Sequence, residues 1–221
     1  MIPTAALDTV LSCCVREERV DYRMLAADPG PLRRYLSAAA MASPERFGRA
    51  EQMAFWINTY NACVLEGVLR RPGIKSVLDS VPGQRGFFHE ERRIGGRDVT
   101  LDVVERDILR KGFHDPRVHF VLNCASASCP RLPAHPLTAG QLDSTLDAAV
   151  RRFLADPTKN RREEEGRLEL SAIFDWYRSD FVATAGSLQA FVARYWSQGK
   201  RPPANPEIRF LPYDWSLNGT W

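Results

Sequence analysis

Apolar residues recur every three or four positions along most of this chain, which is the spacing of a helix with one buried face. The clearest stretch is 51–70, where large apolar side chains crowd together until Pro72 and Gly73 stop the helix. The sequence also predicts a helix from a capping box at Thr138 to about residue 154. The remaining predicted helices cover 4–18, 29–41, 100–110, 171–181 and 187–196.

A different pattern marks 117–124, where a continuous apolar run predicts one buried central strand. Short extended pieces are predicted at 20–22 and 208–211, and Gly95-Gly96 predicts the turn of a small hairpin. The expected fold class is therefore α+β, with a mostly helical shell around a small, largely antiparallel sheet.

The domain organisation follows from the absence of a convincing linker or repeat in the sequence. We expect one domain over 1–221, in which a helical N-terminal part (1–50) packs on the core (51–221). Hydrophobic residues make up 44% of the chain, which argues against disorder. The net charge is only +3, from 30 basic and 27 acidic residues, so nucleic acid is not an expected partner.

The sequence also bears on location. No apolar run approaches the roughly 18 residues of a membrane span, so no span is predicted. The N-terminus lacks a basic start followed by an apolar core, and five cysteines, two of them adjacent at Cys13 and Cys14, favour free thiols. We expect a cytoplasmic protein, and a signal removed from the chain would instead permit export.

Candidate chemistry gathers at the end of the apolar run. Cys124 is a candidate nucleophile, His119 a candidate base, and Glu105 a candidate group to orient His119. The backbone after Cys124 is expected to donate N–H groups to an oxyanion. Ser126 and Cys129 are expected to line the same site.

Strand geometry opposes the simplest form of this site. Five steps of straight strand would separate His119 from Cys124 by ~16 Å and put their side chains on opposite faces. The two side chains can meet only if the chain bends between them. The alternative is a packed strand, with His119 hydrogen-bonded and the cysteines acting as small hydrophobic residues.

The same residues also raise the alternative of a metal site. It would use Cys124, Cys129 and either His119 or His135, but the spacing of the two cysteines is at the edge of zinc patterns and no second pair follows. We therefore expect no metal and no cofactor. A disulfide between Cys124 and Cys129 is expected only if the protein is exported.

Two asparagines share one face of the predicted helix over 51–70. Asn58 and Asn61 stand among large apolar neighbours, where an amide needs a specific hydrogen-bond partner. They either line the site or form a polar network that ties the helix to a nearby loop. Farther along, Asp175 and Arg178 are expected to pair on a helix surface, and the aromatic tail 210–218 is expected to dock on the body.

Several of these segments together carry a family resemblance. The chain resembles the DUF547 family, whose members have no established activity, and which occurs in bacteria and, beside leucine-zipper segments, in plants. The matching segments are FWINTYNAC (55–63), IKSVLD (74–79), IGGRDVTLDVVERDILR (94–110), DPRVHFVLNCASASCPRL (115–132), FLADPTKN (153–160), LSAIFDWYRSDF (170–181) and FLPYDWSLN (210–218).

The resemblance also bears on individual residues. Glu105 matches the acid of an Ile-Glu-His motif, whereas Arg106 stands where the family has histidine, which leaves His119 as the remaining base. Members of the plant type resemble this chain at Cys124 but have serine at the position of Cys129. The resemblance therefore favours Cys124 as the nucleophile.

Two functions remain open at this point. One is a cysteine-dependent hydrolase or acyl-transfer enzyme, similar in chemistry, and by extension in fold, to papain or transglutaminase. It would act on a peptide or small-molecule substrate. The other is a non-catalytic module that binds a protein partner and carries a degenerate site.

Overall fold

Helix α4, Arg49–Leu69, lies at the centre of the computed structural model and is buried on almost every side. A helix that is apolar all round belongs in a core, which agrees with the crowded apolar run of its sequence. Its N-terminus is held by Glu51, whose carboxylate accepts a hydrogen bond from the Gly48 N–H at 3.2 Å. The structure describes residues 2–16, 19–79, 86–163, 167–197, 202 and 206–221.

Three shorter helices cover one side of α4. They are α1 (Ala5–Cys14), α2 (Tyr22–Ala27) and α3 (Gly30–Ala40), and α2 and α3 pack directly on α4. Buried apolar side chains from many of the helices form one continuous hydrophobic cluster, in which Leu7 is the first residue along the chain and Trp196 the last.

The other helices surround the far side of α4. A helix predicted over 100–110 is present, but its middle widens into a π-helix at Val104–Arg110. The α-helices are α5 (Leu101–Val103), α6 (Lys111–Phe113), α7 (Leu142–Leu154), α8 (Ile173–Trp176), α9 (Arg178–Ala185) and α10 (Leu188–Tyr195). The 3-10 helices are Pro44–Arg46, Phe87–His89, Pro116–Phe120 and Ala139–Gln141.

The described strands form three small sheets, so the α+β class is confirmed, with the strands divided among separate sheets. Two of the sheets contain a parallel pair, β2 with β8 and β6 with β7, and the other pairings are antiparallel. The hairpin around Gly95-Gly96 is confirmed as β3 and β4. The strands are β1 (Val15–Arg16), β2 (Arg19–Asp21), β3 (Arg92–Ile94), β4 (Arg97–Val99), β5 (Arg161–Arg162), β6 (Leu168–Ser171), β7 (Ile208–Leu211) and β8 (Gly219–Thr220).

The prediction of a central strand over 117–124 is wrong. Pro116–Phe120 is a 3-10 helix, capped by the Asp115 carboxylate, which accepts a hydrogen bond from the Arg117 N–H at 3.0 Å. An acidic cap followed by proline starts a helical turn and here outweighs the strand preference of the apolar residues. The chain then turns, because the Val118 carbonyl accepts from the N–H groups of residues 121 and 122.

The aromatic tail docks on the body, as predicted. The Leu217 N–H donates to the Lys75 carbonyl at 2.7 Å, and the Asn218 N–H donates to the Ala125 carbonyl at 2.9 Å. The tail thereby covers the loop that follows Cys124.

None of the helices within the described ranges has the length and apolar character needed to cross a membrane.

Candidate active site

A cavity of about 320 Å³ opens where the π-helix, the 3-10 helix Pro116–Phe120, helix α8 and the docked tail meet. The residues with chemistry on its wall include Glu105, Arg110, His119, Cys124, Tyr177 and Tyr213. The fold therefore brings His119 and Cys124 to one cavity, since the turn after residue 120 supplies the bend that their pairing requires.

The Cys124 sulfur is surrounded by hydrogen-bonding groups. Its Sγ lies 3.3 Å from the Ser126 Oγ and 3.2 Å from the Tyr213 hydroxyl oxygen. Hydrogen bonds from the Cys129 thiol, from the Ser126 side chain and N–H, and from Tyr213 outweigh the effect of burial and lower the pKa of Cys124 to about 7. This thiol therefore ionises more readily than an ordinary cysteine.

The backbone N–H groups of the loop after Cys124 make other hydrogen bonds in this conformation, and their donation to an oxyanion stays a prediction. The N–H groups of 124–129 donate in turn to Cys129 Sγ, Asn123 Oδ1, the Cys124 sulfur, and the carbonyls of Ser216, Asp214 and Ser126. The hydroxyl of Tyr213 is the nearest side-chain donor to the Cys124 sulfur. Burial raises the pKa of Tyr213, so its O–H stays protonated.

The two asparagines of α4 hold backbone segments in place. Asn61 donates to the Val121 carbonyl at 2.8 Å and accepts from the Asn123 N–H at 2.9 Å. Asn58 makes the same pair of bonds to Leu137, at 2.9 and 2.8 Å. The structure thus contains the polar network that the sequence suggested, while contact of either asparagine with a substrate stays a prediction.

His119 is a buried, neutral imidazole. Its Nε2 lies 2.9 Å from Asp180 Oδ2, and because an ionised carboxylate only accepts hydrogen bonds, Nε2 carries the proton. The remaining nitrogen, Nδ1, therefore holds the lone pair. Burial lowers the pKa of His119 despite the carboxylate beside it, so the ring is a base at neutral pH.

Asp180 joins His119 to a cation. Arg110 binds the same carboxylate through two hydrogen bonds of 2.8 and 3.1 Å. The hydrogen bonds from His119 and then Arg110 lower the pKa of Asp180 well below its usual range. Tyr177 lies between the two side chains that bind Asp180, stacked on the His119 ring at 3.8 Å and under the Arg110 guanidinium at 4.8 Å.

Glu105 occupies a neighbouring position. Its carboxylate accepts hydrogen bonds from the hydroxyls of Tyr177 at 2.5 Å and Tyr60 at 3.3 Å. Among the described side chains, Asp180 thus accepts the hydrogen bond from His119, in the role that the sequence assigned to Glu105. Glu105 instead fixes Tyr177, and the π-helix that carries it turns both Glu105 and Arg110 toward the cavity.

Some contacts that a triad would need are not made in this conformation. Within the described part of the chain, no hydrogen bond joins His119 to Cys124.

The predicted surface pair of Asp175 and Arg178 is present at 3.2 Å. Over the same described ranges, no group of three or more histidine, cysteine or acidic side chains is arranged to hold a metal ion.

Sequence reasoning missed two residues of this site. Asp180 lies in the aromatic segment 170–181, but nothing in its local pattern distinguishes it from other surface acids. Tyr213 lies in the tail, whose unusual aromatic content was the available signal. With Trp176 and Trp215 it forms an aromatic rim at the cavity, with ring centroids 4.6 to 5.7 Å apart and Trp176 half exposed.

The family can now be assigned. A family model described as "Protein of unknown function, DUF547" matches residues 44–154, which is half of the chain. The chain belongs to the DUF547 family. No curated protein and no solved structure matches it. The DUF547 match includes His119 and Cys124, whereas Asp180 and Tyr213 lie beyond it.

Proposed function

We propose that this protein is a cysteine-dependent hydrolase or acyl-transfer enzyme with Cys124 as its nucleophile. The observation that carries the proposal is the Cys124 thiol, which borders a cavity and whose pKa is lowered to about 7 by the groups around it. Such a thiol attacks without a base to remove its proton first.

The first step forms an acyl-enzyme. The Cys124 thiolate attacks the carbonyl carbon of a substrate, and the hydroxyl of Tyr213 donates to the oxyanion that develops. The tetrahedral intermediate then collapses to a thioester and releases the leaving group. Because His119 is neutral and has no acidic proton for that group, ester or thioester donors are favoured over amides.

The second step hydrolyses or transfers the acyl group. His119 Nδ1 takes a proton from water or another acceptor as it attacks the thioester, and the Cys124 thiolate is released. Asp180 stabilises the imidazolium that forms and fixes which nitrogen acts as base. The cysteine nucleophile and the histidine base have the roles that they have in papain and transglutaminases, and kinship with their folds stays a prediction.

The proposal is tested with p-nitrophenyl acetate, a small activated ester. We expect a burst of p-nitrophenol and one acetyl group on Cys124, located by peptide mass spectrometry. Cys124→Ser is expected to lose both, whereas Cys63→Ser, which alters a buried cysteine on α4, keeps them. Acetylation spread over several cysteines, or an unchanged burst in Cys124→Ser, would contradict the proposal.

A second function is supported by two observations. The absence of a hydrogen bond between His119 and Cys124, together with the half-exposed Trp176, is compatible with a cavity that binds a protein partner without reaction. Such a module would show no burst in the same experiment.

We also propose a cytoplasmic location, which is supported by five cysteines that are all free thiols.

A further inference from the structure

The loop that carries Cys124 holds a second thiol beside it. The Cys124 N–H donates to the Cys129 sulfur at 2.8 Å, and both residues border the cavity. The Cys129 Sγ also lies 3.7 Å from the Leu122 carbonyl oxygen, to which its thiol donates. The structure therefore holds two free thiols on one short loop, with the sulfur of one against the backbone of the other.

The backbone between these thiols is already closed into a tight loop. Asn123, just before the loop, donates to the Pro130 carbonyl just after it at 2.6 Å. Asn123 Oδ1 also accepts from the Ala125 N–H at 2.9 Å, which supports the left-handed conformation of Ala125 at a φ of 62°. A covalent link between the two sulfurs therefore closes a loop whose ends already meet, with little loss of backbone freedom.

The two thiols also differ in pKa, as a pair requires in which one thiol is oxidised and the other then attacks it. Hydrogen bonds from Cys129 and its neighbours lower the pKa of Cys124, whereas burial and the adjacent Cys124 raise the pKa of Cys129. The partly exposed and more readily ionised member reacts first, and the protonated member remains to attack it.

We propose that a hydroperoxide oxidises Cys124 and that Cys129 then closes a reversible disulfide with it. The Cys124 thiolate attacks the terminal peroxide oxygen, so an S–O bond forms, the O–O bond breaks and the alkoxide leaves, which for hydrogen peroxide is hydroxide. The sulfur gives up two electrons and becomes a sulfenic acid. Cys129 then loses its proton as its sulfur attacks that of Cys124, an S–S bond forms, and the oxygen departs with the proton as water.

The disulfide removes the thiolate and would stop the reaction proposed above. That consequence rests on the proposed function, whereas formation of the disulfide does not. The disulfide also protects Cys124 from further oxidation to the sulfinic acid, a product that cells reduce only in special cases. A dithiol reductant restores both thiols.

The test uses the reduced full-length protein and hydrogen peroxide, followed by N-ethylmaleimide and trypsin. Both cysteines fall in one tryptic peptide, 118–131. We expect this peptide to lose two hydrogens and to escape alkylation, so that three of the five thiols remain free until dithiothreitol restores the others. This readout needs no substrate, so it separates a failure of this proposal from a failure of the proposed enzyme.

Two variants sharpen the test. Cys129→Ser is expected to accumulate a sulfenic acid at Cys124, trapped by dimedone, and then the sulfinic acid that dithiothreitol does not reduce. Cys63→Ser is the matched control and is expected to behave as the natural protein. The proposal is overturned if peptide 118–131 of the natural protein keeps two alkyl groups, or if Cys124 reaches the sulfinic acid equally fast with and without Cys129.

Discussion

At the scale of the residue, the cysteines differ in what surrounds the sulfur. Burial raises the pKa of Cys14 to about 11 and that of Cys63 to about 12, which makes both poor nucleophiles at neutral pH. Cys124 is also enclosed by protein, but several donors point at its sulfur. Its reactivity therefore depends on those hydrogen bonds.

The hydroxyl of Tyr213 gives a direct test of that dependence. Tyr213→Phe removes one donor from an ionised sulfur, a bond worth about 1.5 to 3 kcal/mol. We expect the pKa of Cys124 to rise by roughly 1 to 2, measured as the pH of half-maximal alkylation. Tyr35→Phe removes a buried hydroxyl that contacts Thr59 instead, and it should leave this pH unchanged. Equal profiles for both variants would argue against the role of Tyr213.

Asp180 can be tested by its effect on the second step. Asp180→Asn removes the charge that fixes the His119 proton on Nε2, so acetyl release from Cys124 is expected to slow by roughly 10²- to 10⁴-fold. Formation of the acetyl-enzyme should change far less, because the thiolate needs no base. Asp175→Asn alters an exposed acid that pairs with Arg178 and serves as control. Unchanged release in Asp180→Asn would rule out His119 as the base.

The sequence was sufficient to single out Cys124 and His119, because each is a reactive side chain beside a recognisable apolar run. It was not sufficient for Asp180 or Tyr213. They lie 61 residues from His119 and 89 residues from Cys124 in the chain, so only tertiary packing brings them to the site. Glu105 borders the same cavity as His119, but its carboxylate accepts hydrogen bonds from Tyr177 and Tyr60. The ring of Tyr177, which stacks on His119, separates the two side chains.

At the scale of the element, local signals competed and the sequence alone did not decide between them. The helix α4 was predicted because apolar spacing and core burial agree along it. Over 117–124 the local signals disagree. The apolar residues favour a strand, whereas the cap at Asp115 and the following Pro116 favour a helical turn, and the structure has a 3-10 helix there. The π-helix at Val104–Arg110 has no signal in apolar spacing, although its extra residue sets the direction of Glu105 and Arg110.

The asparagines of α4 predict how this element supports the site. Asn61→Ala leaves the Val121 carbonyl and the Asn123 N–H buried without partners, at a cost of about 2 to 5 kcal/mol in the free energy of unfolding. Because those groups precede Cys124, we also expect the pH profile of Cys124 alkylation to change.

Asn58→Ala is the matched control for that experiment. It removes the same two bonds from Leu137, away from the cysteine, so it should destabilise the protein to a similar degree and leave the Cys124 profile intact. Equal effects of the two variants on Cys124 would mean that Asn61 acts on stability alone.

At the scale of the whole molecule, the chain beyond the matched region completes the site. Residues 44–154 include the proposed nucleophile and the proposed base, and the later residues Asp180 and Tyr213 hydrogen-bond to them. The tail reaches across to the N-terminal sheet, where β8 pairs with β2. Long-range docking of this kind was predictable from the aromatic tail, but the strand that it adds was not.

Gly219 tests whether this docking matters. A Cβ at Gly219 would lie 2.2 Å from the Val20 carbonyl oxygen, so Gly219→Ala should destabilise the fold by roughly 1 to 3 kcal/mol and displace the tail from the cavity. The expected readouts are a lower midpoint of thermal unfolding and slower alkylation of Cys124 at pH 7. Gly140→Ala, where a Cβ meets open space, should leave both values unchanged. A normal Cys124 in Gly219→Ala would show that the tail is not required.

The most direct test of Cys124 as an activated nucleophile is the rate of its alkylation by iodoacetamide as a function of pH. The rate is followed on peptide 118–131, with fragmentation to distinguish Cys124 from Cys129. Because only the thiolate reacts, the rate should rise with pH to a plateau, with its midpoint at about 7. A midpoint at or above ~8.5, the value of an ordinary cysteine, would contradict the account.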